Sequence, residues 1–479
     1  MAGKAYISTM GCPKNLVDSE AAAAILGETG YVLTDEPSEA DLLLVGACSF
    51  LQSSWRETVE EVERLARFKR PKGVDTEPGS RRRLVLMGCL PRHRKENLET
   101  ELADVDHFLP TGAHEKLSGL VEQWWGARDG RDCPDATASR IDDAAGVDRF
   151  AAFEKRILLT PPHMAYVKIA EGCNRHCSFC AIPAIRGRQI TRPVSSIVRE
   201  VEGLVERGVK EITLLSQDIV SYKNGGTNFV DLVDEISRTG VDWIRLFYLH
   251  PVGLTLEDVR RLFEHPSVVR YLELPIQHVS NRILDRMRRS HDRNHLERLI
   301  GGIRAEFPET VVRSEVIVGF PGETEDEFEE LLSFVEEIEF DSLGVFPYSR
   351  EPGTEAGEFA GQAVRSLIRH RVDELTQVQD AVSFGVQSRR IGRRYTVLVD
   401  RKCDPGERGT SSAQAGCEAG CYAGRYYGQA LDIDGEVFVE HGESDDIDVG
   451  EFVRVRITGN GTHDLNGELL ESPLFLEES

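Results

Sequence analysis

Basic residues are in short supply in this chain. Its 479 residues hold 57 Lys and Arg against 81 Asp and Glu, a formal net charge of −24. Phosphate binding draws on Lys and Arg, so this balance argues against a broad, non-specific nucleic-acid surface. It suits a basic protein partner; an acidic surface kept for solubility would give the same sum. Long apolar runs are also missing. The start, Met1–Ser8, has no apolar signal core, and no later run is long enough to span a bilayer. A cytoplasmic protein with no membrane segment is expected. Cysteine is sparse at ten residues, far below the density of a disulfide scaffold. Several of the ten stand at metal-ligand spacing, which suits a reducing compartment. There is no internal repeat and no low-complexity tract. The chain is too long for one ordinary core, so several domains are expected.

Strand and helix signals alternate from the start. Residues 5–10, 41–46 and 83–88 read as strands, and 17–27 and 54–68 as helices. Such alternation predicts an open parallel sheet with covering helices over residues 3–125. Residues 126–160 read as an acidic linker, most clearly the polar, Gly- and Ala-rich stretch 126–147. The β/α pattern then resumes across 161–390. Strands are expected at 165–170, 211–215, 243–248, 271–274, 311–318 and 342–347, with helices such as 195–207, 280–289 and 325–338 between them. About six such units predict a partial (β/α) barrel. A long helix, 363–389, leads out of it. Short strands at 395–399, 436–439 and 452–457, with Gly-rich turns, predict a small β-barrel over 391–475.

The chemistry is concentrated in cysteines. Cys173, Cys177 and Cys180 stand in Glu171-Gly-Cys-Asn-Arg-His-Cys-Ser-Phe-Cys, a C-x3-C-x2-C spacing. Three thiolates this close can hold three corners of a cubane iron–sulfur cluster, whereas a structural site takes four. An open metal position signals chemistry rather than scaffolding. A zinc site or three buried thiols is the bland alternative. His176 lies inside the triplet, where it cannot easily close a tetrahedron around zinc. The spacing resembles the radical S-adenosylmethionine (SAM) enzymes, in which SAM occupies the open iron and is cleaved by one electron to methionine and a 5′-deoxyadenosyl radical. Cys12, Cys48 and Cys89 each fall just after an expected strand. Loops at the carboxyl ends of parallel strands converge on one edge, so these three can meet in space. A glycine near each lets the backbone approach a cluster closely. Three buried small thiols remain the alternative here.

Three blocks resemble the methylthiotransferases: Cys-Pro-Lys-Asn-Leu-Val-Asp-Ser-Glu (12–20), Glu-Gly-Cys…Phe-Cys (171–180) and Val-Gly-Phe-Pro-Gly-Glu-Thr (318–324). These are radical SAM enzymes with an extra N-terminal cluster domain and a C-terminal TRAM β-barrel. The block 271–278, Tyr-Leu-Glu-Leu-Pro-Ile-Gln-His, also fits. Within the family, Gly11-Cys-Pro-Lys-Asn-Leu-Val-Asp-Ser is similar to the ribosomal-protein branch, the RimO type. The tRNA branch, the MiaB type, usually has Gln-Met-Asn where this chain has Pro13-Lys14-Asn15. The resemblance implies two [4Fe–4S] clusters, an auxiliary one on Cys12, Cys48 and Cys89 and a radical SAM one on Cys173, Cys177 and Cys180. It implies SAM as radical source and methyl donor, with Phe179, Gln217 and Asp218 as candidate SAM contacts. The implied substrate is an aspartate of ribosomal small-subunit protein S-twelve, methylthiolated at its β-carbon, with nucleic acid not the expected substrate. A reductant such as flavodoxin or ferredoxin is implied; the sulfur donor is not indicated.

Some features stand outside this pattern. The loop 319–324 either touches the site or only shapes a strand-to-helix turn. Gln277 and His278 either face the barrel mouth or satisfy buried backbone groups. The resemblance assigns no role to Cys403, Cys417 and Cys421, which read as incidental thiols with a zinc site the lesser alternative, and Cys133 in the linker reads as incidental too. From Arg393 to Ser479 there are 18 acidic and 8 basic residues. A tRNA-binding barrel would be basic, whereas an acidic one suits a Lys- and Arg-rich ribosomal protein. The competing readings are a tRNA adenosine methylthiotransferase, which shares every cysteine, a non-catalytic iron–sulfur electron carrier, which would fill all cluster ligands, and a zinc-bearing RNA-binding module.

Overall fold

The computed structural model of the chain describes residues 3–69, 82–90, 95–128, 149–150, 152–403, 421–440 and 447–471. The first unit is a parallel sheet of five strands in the order Tyr31–Leu33, Gly3–Thr9, Leu42–Ala47, Arg83–Gly88, His107–Pro110. All six residues of Leu42–Ala47 are buried. A strand covered on both faces reads as a continuous apolar run, which Leu-Leu-Leu-Val-Gly-Ala is. Helix Gln52–Lys69 covers one side through Trp55, Thr58, Val62 and Leu65, spaced at three and four residues along one face. Helix Pro13–Glu28 covers the other. It starts with proline, whose missing N–H and fixed φ suit a first helical position, and Cys12 is its N-cap residue.

The central unit is an open, all-parallel sheet of six strands: Ser342–Pro347, Val311–Val318, Val268–Glu273, Trp243–Leu246, Glu211–Leu215 and Met164–Lys168. Helices connect the strands, among them Val194–Glu206, Arg293–Glu306 and Glu325–Ile338. This is the expected partial barrel. Its interior is unusually charged near the amino ends of the strands. Glu211 pairs with Arg245 at 2.7 Å and with Arg425 at 2.6 Å, and Arg425 also pairs with Asp400. Because Asp400 and Arg425 belong to the C-terminal unit, these buried pairs lock that unit to the core. Helix Arg365–Ser388 runs between them.

The C-terminal unit is a closed barrel of five strands, ordered Arg394–Lys402, Cys421–Tyr426, Val437–Glu440, Leu465–Glu471, Phe452–Asn460. Two of these, Cys421–Tyr426 and Leu465–Glu471, were not expected. The structure also corrects the reading of Cys403 and Cys421 as incidental thiols, for they form a disulfide. Antiparallel pairing sets Lys402 opposite Tyr422 and brings the two Cα atoms to 5.4 Å. Cys133, Cys417, most of the expected linker, and Asp445 and Asp446 lie outside the described residues. Residues 152–160, within the stretch expected as linker, are anchored at two points, with Ile157 and Leu159 left exposed. Phe153 and Arg156 are buried, and Arg156 pairs with Glu20 of the first unit and Glu200 of the second. No helix of the described residues is long and apolar enough to cross a membrane.

Candidate active site

Cys12, Cys48 and Cys89 follow three neighbouring strands of the first sheet, Gly3–Thr9, Leu42–Ala47 and Arg83–Gly88. Their loops therefore leave the same edge side by side. Gly11 shows how tightly they pack: its φ is +83°, and a Cβ there would lie 2.6 Å from Cys48 Cβ and 2.7 Å from Cys48 Sγ. Asn15 knits the loops together. Its amide nitrogen donates to the Met10 and Ala47 carbonyls at 2.9 and 2.8 Å, and its Oδ1 lies 3.5 Å from Cys89 Sγ. Burial pushes the Cys89 thiol up to about 12, Cys12 and Cys48 add to that, and Arg186 opposes it. Cys12 departs the other way. Burial alone would raise its pKa, but Lys14, Arg186 and the amides of Asn15 and Lys14 outweigh burial and lower it.

The second triplet lies past the strands Met164–Lys168 and Ala170–Glu171. Gly172 enters this loop at φ +83°, where a Cβ would meet the Arg188 carbonyl oxygen at 2.3 Å. The Cys173 amide then donates to the Gly187 carbonyl. Arg175 donates its own amide to Cys173 Sγ at 3.3 Å and its guanidinium to Asp218 at 2.6 Å. Arg289, buried, reaches Cys177 Sγ at 3.6 Å. Burial pushes Cys180 up to about 12, with Cys177 and Cys173 adding to the rise.

One buried arginine joins the two triplets. Arg186, 1% exposed, ends the short helix Ile182–Arg186 that follows Cys180. Its Nε donates to Cys89 Sγ at 3.2 Å, Nη2 to Asn15 Oδ1 at 2.6 Å, and Nη1 to Glu171 Oε1 at 2.6 Å. Glu171 lies two residues before Cys173, so this guanidinium ties Cys89 of the first set to the strand that leads into the second. Lys168 extends the tie, donating to Asp18 at 2.6 Å and Glu171 at 3.1 Å. The cations depress the Glu171 carboxyl well below its usual range, overcoming a burial effect that would raise it.

Against this geometry the comparisons decide the family. The Radical SAM superfamily matches residues 167–335, the Uncharacterized protein family UPF0004 matches 4–110, and the TRAM domain matches 391–470. A ribosomal protein uS12 methylthiotransferase RimO from Anaeromyxobacter sp. (strain K) is 38% identical over 98% of this chain and 94% of its own length. The protein of the same name from Geobacter sulfurreducens is 36% identical over 98% of both chains. The chain belongs to the RimO family of methylthiotransferases. Among solved structures, the radical SAM methyltransferase TsrM from Kitasatospora setae shares the fold, with a TM-score of 0.50 at 14% identity over 87% of this chain and 82% of that one.

This RimO-family chain is therefore a radical SAM enzyme that uses SAM and [4Fe–4S] clusters. The residues present fit that requirement. Each triplet offers three soft thiols with arginine nearby to offset thiolate charge. Among the described residues no three His, Cys, Asp or Glu side chains gather closely enough for a single ion. A cubane, wider than an ion, takes thiolates spaced around it. The expected SAM contacts are spread more widely. Phe179 packs half-buried against Ile283, Met287, Phe320 and Tyr348. Gln217 donates to Glu171 Oε1 at 3.1 Å, with its own Oε1 left unpartnered. Asp218 is engaged by Arg175.

The loop 319–324 shapes a turn. Glu323 accepts the Gly319 and Phe320 amides at 2.8 and 3.0 Å, and Thr324 caps helix Glu325–Ile338. His278 is fully buried, accepts the Ser280 amide, and is pushed down to about 3 by burial, so it is a neutral structural group. Gln277, at φ +73°, bridges Val316 through its backbone. Residues the sequence reading passed over are Lys14, Asp18, Lys168, Arg186, Tyr248 and Arg289. All but Tyr248 and Arg289 lie inside a quoted block or within six residues of a cysteine.

Proposed function

We propose that this chain replaces a hydrogen on the β-carbon of an aspartate in ribosomal protein S-twelve (uS12) with a methylthio group. The observation that carries the reading is Arg186, whose one guanidinium hydrogen-bonds Cys89 on one side and Glu171, beside Cys173, on the other. A single-cluster enzyme has no use for a second thiol triplet set against the first. Cys12, Cys48 and Cys89 would hold an auxiliary [4Fe–4S] cluster, and Cys173, Cys177 and Cys180 the radical SAM cluster. When bound, these groups supply one-electron cleavage of SAM, sulfur for insertion and, from SAM, a methyl group, chemistry that no side chain can perform on an unactivated C–H.

The chain's own part is position, charge and exclusion of water. Asn15 and Gly11 fix the three loops of the first triplet against one another. Gly172 and Arg175 shape the second. Arg186, Lys168, Asp18 and Glu171 form a dry, paired seam that holds the triplets at one separation. Phe179, Gln217 and Asp218 are the proposed SAM-side residues. The acidic C-terminal barrel favours a basic ribosomal protein over tRNA. A low-potential reductant such as flavodoxin or ferredoxin and a cytoplasmic setting complete the reading. The test is Cys89→Ala. It should leave SAM cleavage to 5′-deoxyadenosine intact and abolish methylthio transfer; methylthio product from this variant would overturn the auxiliary-cluster role.

A further inference from the structure

Buried cations in this protein are almost all matched. Arg156, Lys168, Arg186, Arg245, Arg371 and Arg425 each meet a carboxylate within 4 Å. Lys14 does not. Lys14 is 6% exposed, yet among the described residues its ammonium has no carboxylate within ion-pair distance. It rests instead on the face of Tyr248, with Nζ 3.5 Å from the ring centroid. An aromatic face compensates a desolvated cation only in part, whereas a carboxylate partner would match it fully.

The position of Lys14 is as informative as its lack of a carboxylate within ion-pair distance, Cys12 being the neighbour that most favours its charge. It is the second residue of helix Pro13–Glu28, two residues past Cys12. Tyr248 belongs to the central unit, just past the carboxyl end of strand Trp243–Leu246, and is held at φ +62°. Its amide donates to Glu273 Oε2 at 3.2 Å, at the end of the next strand. Lys14 therefore crosses from the first unit to the mouth of the barrel, beside the first cysteine triplet. Glu273, the nearby carboxyl at the mouth, is occupied by the Tyr248 amide rather than by the lysine.

We propose that Lys14 binds the side-chain carboxylate of the target aspartate, with Tyr248 as its backing, and so selects for an acidic residue at the position to be modified. The proposal rests on the S-twelve reading above. In an aspartate the β-carbon is bonded directly to the carboxyl carbon, so anchoring the carboxylate fixes the reacting carbon one bond away. The ammonium stands ready for this without first breaking a pair within the protein. A charge-assisted bond in a water-poor site also discriminates strongly, because a neutral amide leaves the ammonium unmatched.

The experiment uses reconstituted holoprotein with SAM and no reductant, so that binding is read without turnover. Two synthetic peptides carry the S-twelve target segment, one with the native aspartate and one with asparagine in its place. Dissociation constants are measured by fluorescence anisotropy for the wild type, Lys14→Met and Lys14→Arg, with iron content and visible absorbance confirming both clusters. The wild type should prefer the aspartate peptide by about 30-fold, the equivalent of roughly 2 kcal/mol. Lys14→Met should bind both peptides alike, and Lys14→Arg should keep most of the preference. An unchanged preference in Lys14→Met would show that Lys14 only offsets the charge of the neighbouring thiolates, and would overturn the proposal. Equal binding of both peptides by the wild type would overturn it without recourse to any variant. A strong reductant is then added to the wild-type mixture: expected preference in binding with no methylthio group on the aspartate after reduction would instead remove the S-twelve reading beneath it.

Discussion

Replacing Arg186 with methionine should loosen the seam between the first and second units. The side chain makes three hydrogen bonds there, at 2.6 Å to Glu171, 2.6 Å to Asn15 and 3.2 Å to Cys89. Its removal leaves a buried carboxylate short of a partner, which typically costs about 3–5 kcal/mol. Glu171 would keep Lys168 at 3.1 Å and Gln217 at 3.1 Å, which places the cost near the lower end, about 3 kcal/mol. Because the contacts cross a seam, the loss should appear as local opening rather than global unfolding. An increment of that size corresponds to a roughly 150-fold larger opening constant. Amide hydrogen exchange on the reconstituted protein reads this directly. Peptides covering 10–24 and 164–176 should exchange faster by that order, while 452–460, in the C-terminal barrel, should not change. Arg186→Lys keeps the charge but not the fork that reaches three acceptors, and should fall between the two. Exchange at 10–24 and 164–176 within threefold of wild type would refute the reasoning.

Other perturbations separate the remaining elements. Gly172→Ala would set a Cβ 2.3 Å from a backbone carbonyl oxygen at positive φ, so the Cys173 loop should not form and iron content should fall to that of one cluster; full iron loading would count against the assigned loop. Glu327 is a capping-box carboxylate. Burial would raise its pKa, but Arg282, the Thr324 amide and Ser280 lower it to about 2 from 4.5. A depressed carboxylate stabilises the fold above its unfolded value and loses that effect as pH falls. Glu327→Gln should thus lower the melting temperature at neutral pH, with the deficit shrinking as pH falls from about 4.5 towards 2; a pH-independent deficit would assign the effect to packing. Reversing Asp445, Asp446, Asp448 and Glu451 to Lys should raise the KM for S-twelve several-fold, most at low salt, with SAM cleavage unchanged. An unaltered KM would remove the docking role of the acidic barrel.

Much of the fold could be read where the residues carried a strong local signal. The strands at Arg83–Gly88, Glu211–Leu215, Val311–Val318 and Ser342–Pro347 fall where their apolar runs predict. Tyr31–Leu33 and His107–Pro110 escaped because three or four residues are too few for a period to show. Cys421–Tyr426 escaped for another reason. Gly424 and Arg425 interrupt its apolar pattern, yet Arg425 is buried because Glu211 and Asp400 await it from elsewhere in the fold. The cysteine spacing made both triplets visible as candidates, since ligand chemistry forces particular residue types into the sequence. Their linkage was not visible. Arg186 and Asn15 are 171 residues apart, and no local pattern marks which arginine will cross a seam. Lys14 lay within a quoted block, but only the structure reveals that it is a cation without a carboxylate. The disulfide between Cys403 and Cys421 likewise depends on strand pairing between residues 18 apart in sequence.

The most direct test of the central claim is mass spectrometry of one oxygen-free reaction. It would contain the reconstituted protein, SAM, a strong reductant, a sulfide source, and S-twelve and tRNA together. The account predicts one methylthio group in place of hydrogen on an S-twelve aspartate, with the tRNA unchanged. A methylthio group on a tRNA adenosine, with S-twelve unmodified, would contradict it.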